Sequence, residues 1–108
     1  MSDVLTRVRE LVKRGEVRVS RHGFRELAAD DILLDDIVAG IEAAIAIEDY
    51  PEFAKGPSVL VLQRDGNSHP VHVVWGIPKE SAPQAVLVTA YRPDPERWSD
   101  DFMRRRKL

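Results

Sequence analysis

The chain has 108 residues, 44% hydrophobic and 31% charged, which is typical of one soluble globular domain. It contains no cysteine, which excludes disulfide bonds and thiolate metal ligands, and its three histidines show no paired metal-ligand spacing. No apolar run reaches the roughly 18 residues that a membrane helix needs, and the charged N-terminus lacks a signal peptide's apolar core. We therefore expect a single domain over residues 1–108, cytoplasmic, without membrane contact and without a metal site.

The charges are unevenly distributed along the chain. Residues 1–28 hold seven basic and four acidic residues, residues 29–58 hold one and eight, and residues 59–108 hold eight and six. The net charge of −2 argues mildly against a dedicated nucleic-acid binder. The acidic middle is either a solvated surface or a region that repels RNA and meets a basic partner.

The first part of the chain has the apolar periodicity of helices. Gly15 is a stop signal, Ser20 is a good N-cap, and Gly40 is unfavourable inside a helix. Helices are predicted over residues 3–14, 21–29 and about 35–44, with a short edge strand over residues 16–19.

The second part alternates like β-strands. Strands are predicted over residues 45–50, 59–62, 71–75 and 85–91, with a loop over residues 76–83 that has Lys79 and Glu80 at its tip. Strict alternation in the last strand predicts Thr89 and Tyr91 on the face of Leu87. In the preceding strand, Trp75 falls on the face opposite His72.

After the last strand, Asp94 followed by Pro95 is typical of a helix start and predicts a C-terminal helix with Trp98 on its inner side. Residues 104–108 are expected to form a frayed tail. The resulting class is α+β, with N-terminal helices packed on a twisted antiparallel sheet of about four strands and a C-terminal helix.

Several short fragments in this order resemble the bacterial domain-of-unknown-function family 4258, over about residues 17–98. The fragments are Ser20-x-His22 followed by Ile32 and Asp36-Ile37, residues 47–51, residues 70–74 and the run from Val88 to Trp98. That family is similar to the RelE-like toxins, small ribonucleases built as helices on a twisted antiparallel sheet. The resemblance implies a toxin-like, metal-independent endoribonuclease that acts on RNA without a cofactor and has an antitoxin protein as partner.

The chain departs from that family where basic residues are common. It has Glu26 and Asp30-Asp31 at these places, and Leu33 where a Ser or Thr usually caps a helix. Fewer cations for RNA phosphates favour the alternative function, which is a non-catalytic protein-interaction module on the same fold.

Metal-free RNA cleavage needs a base for the 2′-hydroxyl proton, an acid for the leaving oxygen and cations for the phosphorane charge. His22 is the candidate base, because the positive end of a helix keeps an imidazole neutral. Tyr91 is the candidate proton donor or base-stacking platform, and Arg92 the candidate cation. The alternatives are that His22 only packs against the sheet and that Arg92 pairs with an acid of residues 94–101.

Three further residues are candidates for RNA binding. Arg21 and Arg25 lie close to His22 and can hold phosphates, while Thr89 shares a face with Tyr91. Cross-strand packing is the alternative role of Thr89. His72, in the middle of an apolar strand, is interpreted as a structural histidine with satisfied hydrogen bonds.

Overall fold

The first part of the chain is mainly helical and the second part mainly β-strand, in a computed structural model that describes residues 2–79 and 82–107. The helices are α1 (Asp3–Lys13), α2 (Arg21–Ala29) and α3 (Leu34–Ala39), followed by a 3₁₀ turn (Ile41–Ala43). The strands are β1 (Val17–Val19), β2 (Ile45–Tyr50), β3 (Ser58–Arg64), β4 (Pro70–Gly76) and β5 (Ala85–Tyr91). The predicted α+β class is confirmed, and Glu80, expected at the tip of the β4–β5 loop, lies outside the described residues.

Serine side chains begin the first two helices. Ser2 Oγ accepts the Leu5 N–H at 3.0 Å, and Ser20 Oγ accepts the Gly23 N–H at 2.9 Å. Such caps satisfy backbone donors that have no partner inside the helix and stabilise it by about 1 kcal/mol. The second helix has its predicted bounds. No helix in the described part of the chain is long and apolar enough to cross a membrane.

The third helix ends earlier than predicted. It stops at Ala39, and the chain continues through Gly40 into the 3₁₀ turn. A Cβ at Gly40 would lie 3.2 Å from the carbonyl oxygen of Arg64, so the backbone passes close to the end of β3 at this point. This close approach, which periodicity cannot reveal, redirects the chain towards the sheet.

The sheet has five strands in the order β1-β5-β4-β3-β2. Strands β2 to β5 form an antiparallel meander, whereas β1 pairs in parallel with β5. The prediction of a purely antiparallel sheet is therefore wrong for one pair, and the short predicted edge strand β1 adds a fifth strand to the expected sheet of about four. The reason is that the chain passes through two helices between β1 and the meander, so β1 reaches the free edge of β5 instead of pairing in a hairpin.

A β-bulge in β5 decides which of its side chains share a face. The register with β4 shifts by one residue between Leu87 and Thr89, so Val88 is an extra residue. Ala90 therefore joins Leu87 in the core, and Thr89 and Tyr91 lie on the other side of the sheet. The prediction that Thr89 and Tyr91 share the face of Leu87 is wrong for this reason.

The two faces of the sheet have different coverings. The first, called the helical face, packs against the helices; its core includes Val8, Ile37, Val59, Val61, Val73 and Trp75, all with no exposed surface. The other, called the second face, carries His72 and Val74 of β4 and Thr89 and Tyr91 of β5. The C-terminal segment, residues 93–107, covers part of the second face.

The C-terminal segment does not form the predicted helix. The Asp94 carbonyl accepts the N–H groups of Arg97 and Trp98 at 2.9 and 3.1 Å, which closes a single turn. The turn does not propagate, because Trp98 packs edge-on against His72, with ring centroids 4.3 Å apart, and forms an isolated β-bridge with Arg105. Tertiary packing of one indole thus overrides a local helix-start signal.

The expected frayed tail is held to the body of the protein as far as it is described. The Ser99 N–H donates to the Arg104 carbonyl at 2.8 Å, and Arg106 Nε donates to the Pro95 carbonyl at 3.0 Å. Leu108 lies outside the described residues. The basic side chains of this segment are consequently part of the folded surface.

Candidate functional site

Tyr91 and His72 form a hydrogen-bonded pair on the second face, where β4 and β5 place them directly opposite each other. Tyr91 Oη lies 3.2 Å from His72 Nδ1, and the two ring centroids lie 5.3 Å apart in an edge-to-face arrangement. His72 is fully buried, whereas Tyr91 remains partly exposed. Tyr91 is therefore the member of this pair that solvent reaches.

The second nitrogen of His72 fixes the tautomer of the ring. Nε2 lies 2.8 Å from the carbonyl oxygen of Phe102, which can only accept, so Nε2 carries a proton. In the neutral ring Nδ1 then carries a lone pair, which accepts the hydrogen bond from the Tyr91 hydroxyl. Phe102 adopts a left-handed conformation (φ 61°), which presents its carbonyl to the imidazole.

Burial sets the protonation of both groups. It lowers the pKa of His72 below its ordinary value of 6.5, and the nearby Arg105 lowers it further, while the hydrogen bond to Phe102 acts in the opposite direction. Burial also raises the pKa of the Tyr91 phenol, with Arg105 counteracting. Near pH 7 the pair therefore consists of a neutral imidazole and a protonated phenol.

An exposed guanidinium lies beside the pair. Arg105 Cζ is 4.9 Å from the centre of the Trp98 ring, the same ring that packs on His72. Arg105 Nη1 lies 3.8 Å from Glu48 Oε2, and Glu48 also accepts a hydrogen bond from the Tyr50 hydroxyl. Because the Arg105 side chain is 62% exposed, its ion pair with Glu48 is weak and an anionic ligand can compete for it.

His22 lies in the first turn of α2, as predicted. Its side chain is 62% exposed and Nε2 lies 3.8 Å from Glu26 Oε1. Among the hydrogen bonds and ion pairs of residues 2–79 and 82–107, none joins His22 to Tyr91 or Arg92. Direct contacts therefore do not bring His22, Tyr91 and Arg92 together into the predicted cleft.

Arg92 lies at the opposite end of α2, in contacts that bind it to the protein. Its Nε donates to the Asp30 carbonyl at 3.1 Å, and Nη2 to the Asp31 carbonyl at 3.3 Å and to Asp65 Oδ2 at 3.0 Å. Asp30 follows His22 by eight positions, about 12 Å along a helix axis. Arg92 was expected to serve as a cation for RNA cleavage or, as the alternative, to pair with an acid of residues 94–101. Its guanidinium instead donates to two backbone carbonyls and to one carboxylate, all in distant segments.

The Asp65 carboxylate that receives Arg92 is itself buried, with a side chain 5% exposed. Burial raises its pKa, but hydrogen bonds from the backbone of His69 and Asn67 and from Arg92 outweigh this effect and hold the pKa below its ordinary value of 3.8. Asp65 is therefore ionised and pairs with Arg92. These contacts favour a structural role for Arg92.

The predicted RNA-binding residues lie on β5 or on the helix that packs along it. Arg21 and Arg25 are both exposed and four positions apart, so they share one face of α2, the helix that packs along β5. Thr89 is partly exposed on the second face, opposite Val74. The two arginines lie on the helix next to the strand that carries Tyr91.

Most of the acidic middle has partners within the fold. Its contacts join Asp30 to Arg92, Asp36 to the Gly66 N–H, Glu42 to Lys13, Glu48 to Arg105 and Asp49 to Ser2. These internal contacts leave less free acidic surface for a basic partner than the sequence suggested.

Sequence reasoning treated His72 as structural, and both of its ring nitrogens do have partners. It missed that Tyr91 is one of them, because the pairing depends on the bulge in β5. The available signal was one imidazole inside an otherwise apolar strand. Within the described residues, no three His, Asp or Glu side chains converge in a way that could hold a metal ion.

These features define a small α+β domain with helices on one face of a mixed sheet and a phenol–imidazole pair on the other. No curated protein and no solved structure matches the chain. A family model does match it over residues 19–92, under the description "Domain of unknown function (DUF4258)". Because the match covers more than half of the chain, the protein belongs to this family.

Proposed function

We propose that the protein is a toxin-like endoribonuclease of the RelE type, which cleaves single-stranded RNA in the cytoplasm without a metal or a cofactor. The observation that carries the proposal is the hydrogen bond between the accessible Tyr91 phenol and the buried, neutral His72 imidazole. A phenol that already donates its proton to a neutral imidazole has its oxygen lone pair available for a second proton.

The reaction needs no group beyond this pair and a cation. The Tyr91 oxygen takes the proton of an RNA 2′-hydroxyl as the phenol proton passes to His72 Nδ1, and the 2′-oxygen forms its bond to phosphorus. The bond from phosphorus to the 5′-oxygen breaks, and the proton returns through Tyr91 to that leaving oxygen. The products are a 2′,3′-cyclic phosphate and a 5′-hydroxyl. Arg105, whose charge acts on both His72 and Tyr91, is the cation that would stabilise the charge on the phosphate.

Cations on two sides of β5 support RNA as the substrate. Arg105 is mostly exposed next to the pair, and Arg21 and Arg25 are exposed on α2. Each contact with a phosphate adds sequence-independent affinity that falls with salt. As a toxin-like protein, the chain would have an antitoxin protein as its partner.

Induced expression, together with the purified protein, tests the proposal. The wild type should arrest growth and cut RNA in the presence of a chelator, leaving cyclic phosphate ends. Tyr91→Phe removes one oxygen and keeps the ring, and it should lower the cleavage rate about 100-fold or more, the range of general acid–base catalysis. His69→Gln is the matched control, because this imidazole is 67% exposed at a turn and should behave like wild type.

Two outcomes would contradict the assignment. If Tyr91→Phe keeps full activity while circular dichroism shows a folded protein, the pair is not the site. If His22→Gln abolishes cleavage and Tyr91→Phe does not, the chemistry belongs at the start of α2, as the sequence first suggested.

A non-catalytic protein-interaction module is the second candidate function. It is favoured by Arg92, the cation expected to stabilise the transition state, which is instead held by Asp30, Asp31 and Asp65. A folded wild type that neither arrests growth nor cuts RNA, but binds a protein encoded beside it, would support this function.

A further inference from the structure

The second face continues from the Tyr91–His72 pair into an open groove of about 380 Å³. Val74 and Gly76 of β4 and Val86 and Val88 of β5 form its floor, and Tyr50, Phe53, Lys55, Ser58 and Ile77 are among the residues around it. Phe53 is 53% exposed and Val88 is 37% exposed, so two large apolar side chains of the groove face solvent together. The covering of this part of the sheet is therefore incomplete.

One end of the groove is aromatic and basic. Phe53 and Tyr50 come from the end of β2 and the turn after it, and Lys55 lies two residues beyond Phe53. The Lys79 N–H donates to the Lys55 carbonyl at 3.3 Å, so the backbone of a second lysine, Lys79, lies at the same end of the groove. Both lysines are exposed, and no ion pair within residues 2–79 and 82–107 involves either of them. Two acids lie near this end as well: Glu52 in the same turn, and Glu48, which accepts the hydrogen bond of Tyr50.

We propose that this groove binds nucleobases of single-stranded RNA by stacking, next to the site at Tyr91, and does so without reading base identity. The inference deepens the proposed function and rests on it for the position of the cut. Two observations favour RNA as the occupant. Exposed lysines next to aromatic rings are complementary to phosphates next to bases, and Val74 in the floor follows His72 by two strand positions, about 7 Å.

The lining explains why base identity would not be read. The two hydroxyl groups of the lining already have partners: Ser58 Oγ donates to the Gly56 carbonyl at 3.3 Å, and the Tyr50 hydroxyl donates to Glu48. The ammonium group of Lys55 is a cation suited to a phosphate. An apolar floor offers surface to the face of a base and no partner to its edge. Stacking on aromatic side chains contributes about 1–3 kcal/mol per base and tolerates every base.

The experiment measures binding in the cleavage-deficient background. Full-length Tyr91→Phe protein is titrated into fluorescein-labelled oligouridylate and oligoadenylate, followed by anisotropy at low and moderate salt. Phe53→Ala should weaken both complexes about 10-fold, and Phe53→Trp should restore them. Lys55→Gln should weaken both and reduce the salt dependence.

Matched controls lie elsewhere on the surface. Leu33→Ala removes an apolar side chain of comparable exposure (67%), and Lys13→Gln removes a lysine on α1, on the helical face. Neither should change the affinity more than twofold. An apolar dye such as anilinonaphthalene sulfonate provides a second readout, because RNA in the groove should displace it from the protein.

The outcomes separate this inference from the proposed function. Cleavage by the wild type with unchanged RNA affinity in Phe53→Ala would overturn the groove assignment and leave the nuclease intact. RNA binding that depends on Phe53, without any cleavage, would support the groove and remove the nuclease. Dye binding that depends on Phe53 but is not displaced by RNA would show that the groove takes another apolar ligand and would overturn the inference.

Discussion

Replacing Arg92 with Gln distinguishes a structural guanidinium from a catalytic one. In the wild type this side chain donates to the carbonyl oxygens of Asp30 and Asp31 at 3.1 and 3.3 Å and to Asp65 Oδ2 at 3.0 Å. The Asp65 side chain is 5% exposed, so loss of the guanidinium leaves a buried carboxylate with two backbone N–H donors. The variant therefore loses hydrogen bonds and leaves a charge less well compensated.

The contacts give the magnitude. Two hydrogen bonds to carbonyls contribute about 1 kcal/mol each, and the one to the carboxylate about 1.5–3 kcal/mol. The sum of these three contributions must be reduced, because solvent screens a side chain that is 35% exposed. In addition, the wild type has a buried Nη1 without a partner among the described residues, and the variant removes it. We expect Arg92→Gln to lower the free energy of unfolding by about 3 kcal/mol, equivalent to a decrease in Tm of roughly 15 °C.

Urea unfolding followed by tryptophan fluorescence measures this change. Arg97→Gln is the control. The Arg97 side chain is 72% exposed and pairs with Asp94 at 3.8 Å, and we expect this ion pair to contribute less than about 0.5 kcal/mol to the free energy of unfolding. Since the pKa of Asp65 is depressed in the fold, its contribution is complete above the ordinary value of 3.8 and is lost as the pH falls through the folded pKa. The wild-type advantage should therefore shrink below about pH 4. A variant with wild-type stability and no RNA cleavage would refute the reasoning.

Three other variants test the packing of the sheet. Gly23→Ala should destabilise the protein by about 2 kcal/mol, although alanine favours helices, because its Cβ would lie 2.6 Å from the Leu87 carbonyl oxygen. Gln63→Leu should cost about 2–4 kcal/mol, because the buried Trp75 Nε1–H loses its acceptor at 2.9 Å. Because burial lowers the pKa of His72, wild-type stability should fall as the pH drops below 6.5, and His72→Gln should flatten this dependence.

Each of these variants has a control in the chain. Ala28→Ser changes an exposed position of α2, Gln84→Leu removes an amide that is only partly buried, and His69→Gln removes an exposed imidazole. A stable Gly23→Ala would show that α2 does not approach β5 this closely. Wild-type melting of Gln63→Leu, or a pH dependence unchanged in His72→Gln, would contradict the burial of those side chains.

Short-range patterns predicted much of the fold. Helical periodicity and the Ser20 cap gave the bounds of α2, and alternation gave strands close to β2 and β5. These signals depend on neighbours within one or two turns, so the sequence contains them. The short edge strand β1 was also predicted, but its parallel partner was not, because pairing depends on where two helices deliver the chain.

The candidate site depended on contacts that no local pattern specifies. Tyr91 is partnered with His72 only because one extra residue, Val88, shifts the alternation of β5. The Arg92 guanidinium is bound by the backbone carbonyls of Asp31 and Asp30 and by the carboxylate of Asp65, which are 61, 62 and 27 positions away. Both arrangements follow from strand register and helix placement.

The sequence by itself determined that a mainly helical part precedes a mainly β part in an α+β domain, and that few residues of the strands are polar. Tertiary structure alone decided that Tyr91 lies against His72 and that the turn begun at Asp94 ends at Trp98. It also decided that Arg92 forms an ion pair with Asp65 inside the fold. The physical reason is the distance along the chain over which each interaction acts. Periodicity and capping act within a few residues, whereas a bulge, a buried indole and a desolvated ion pair are fixed by packing between segments distant in the chain.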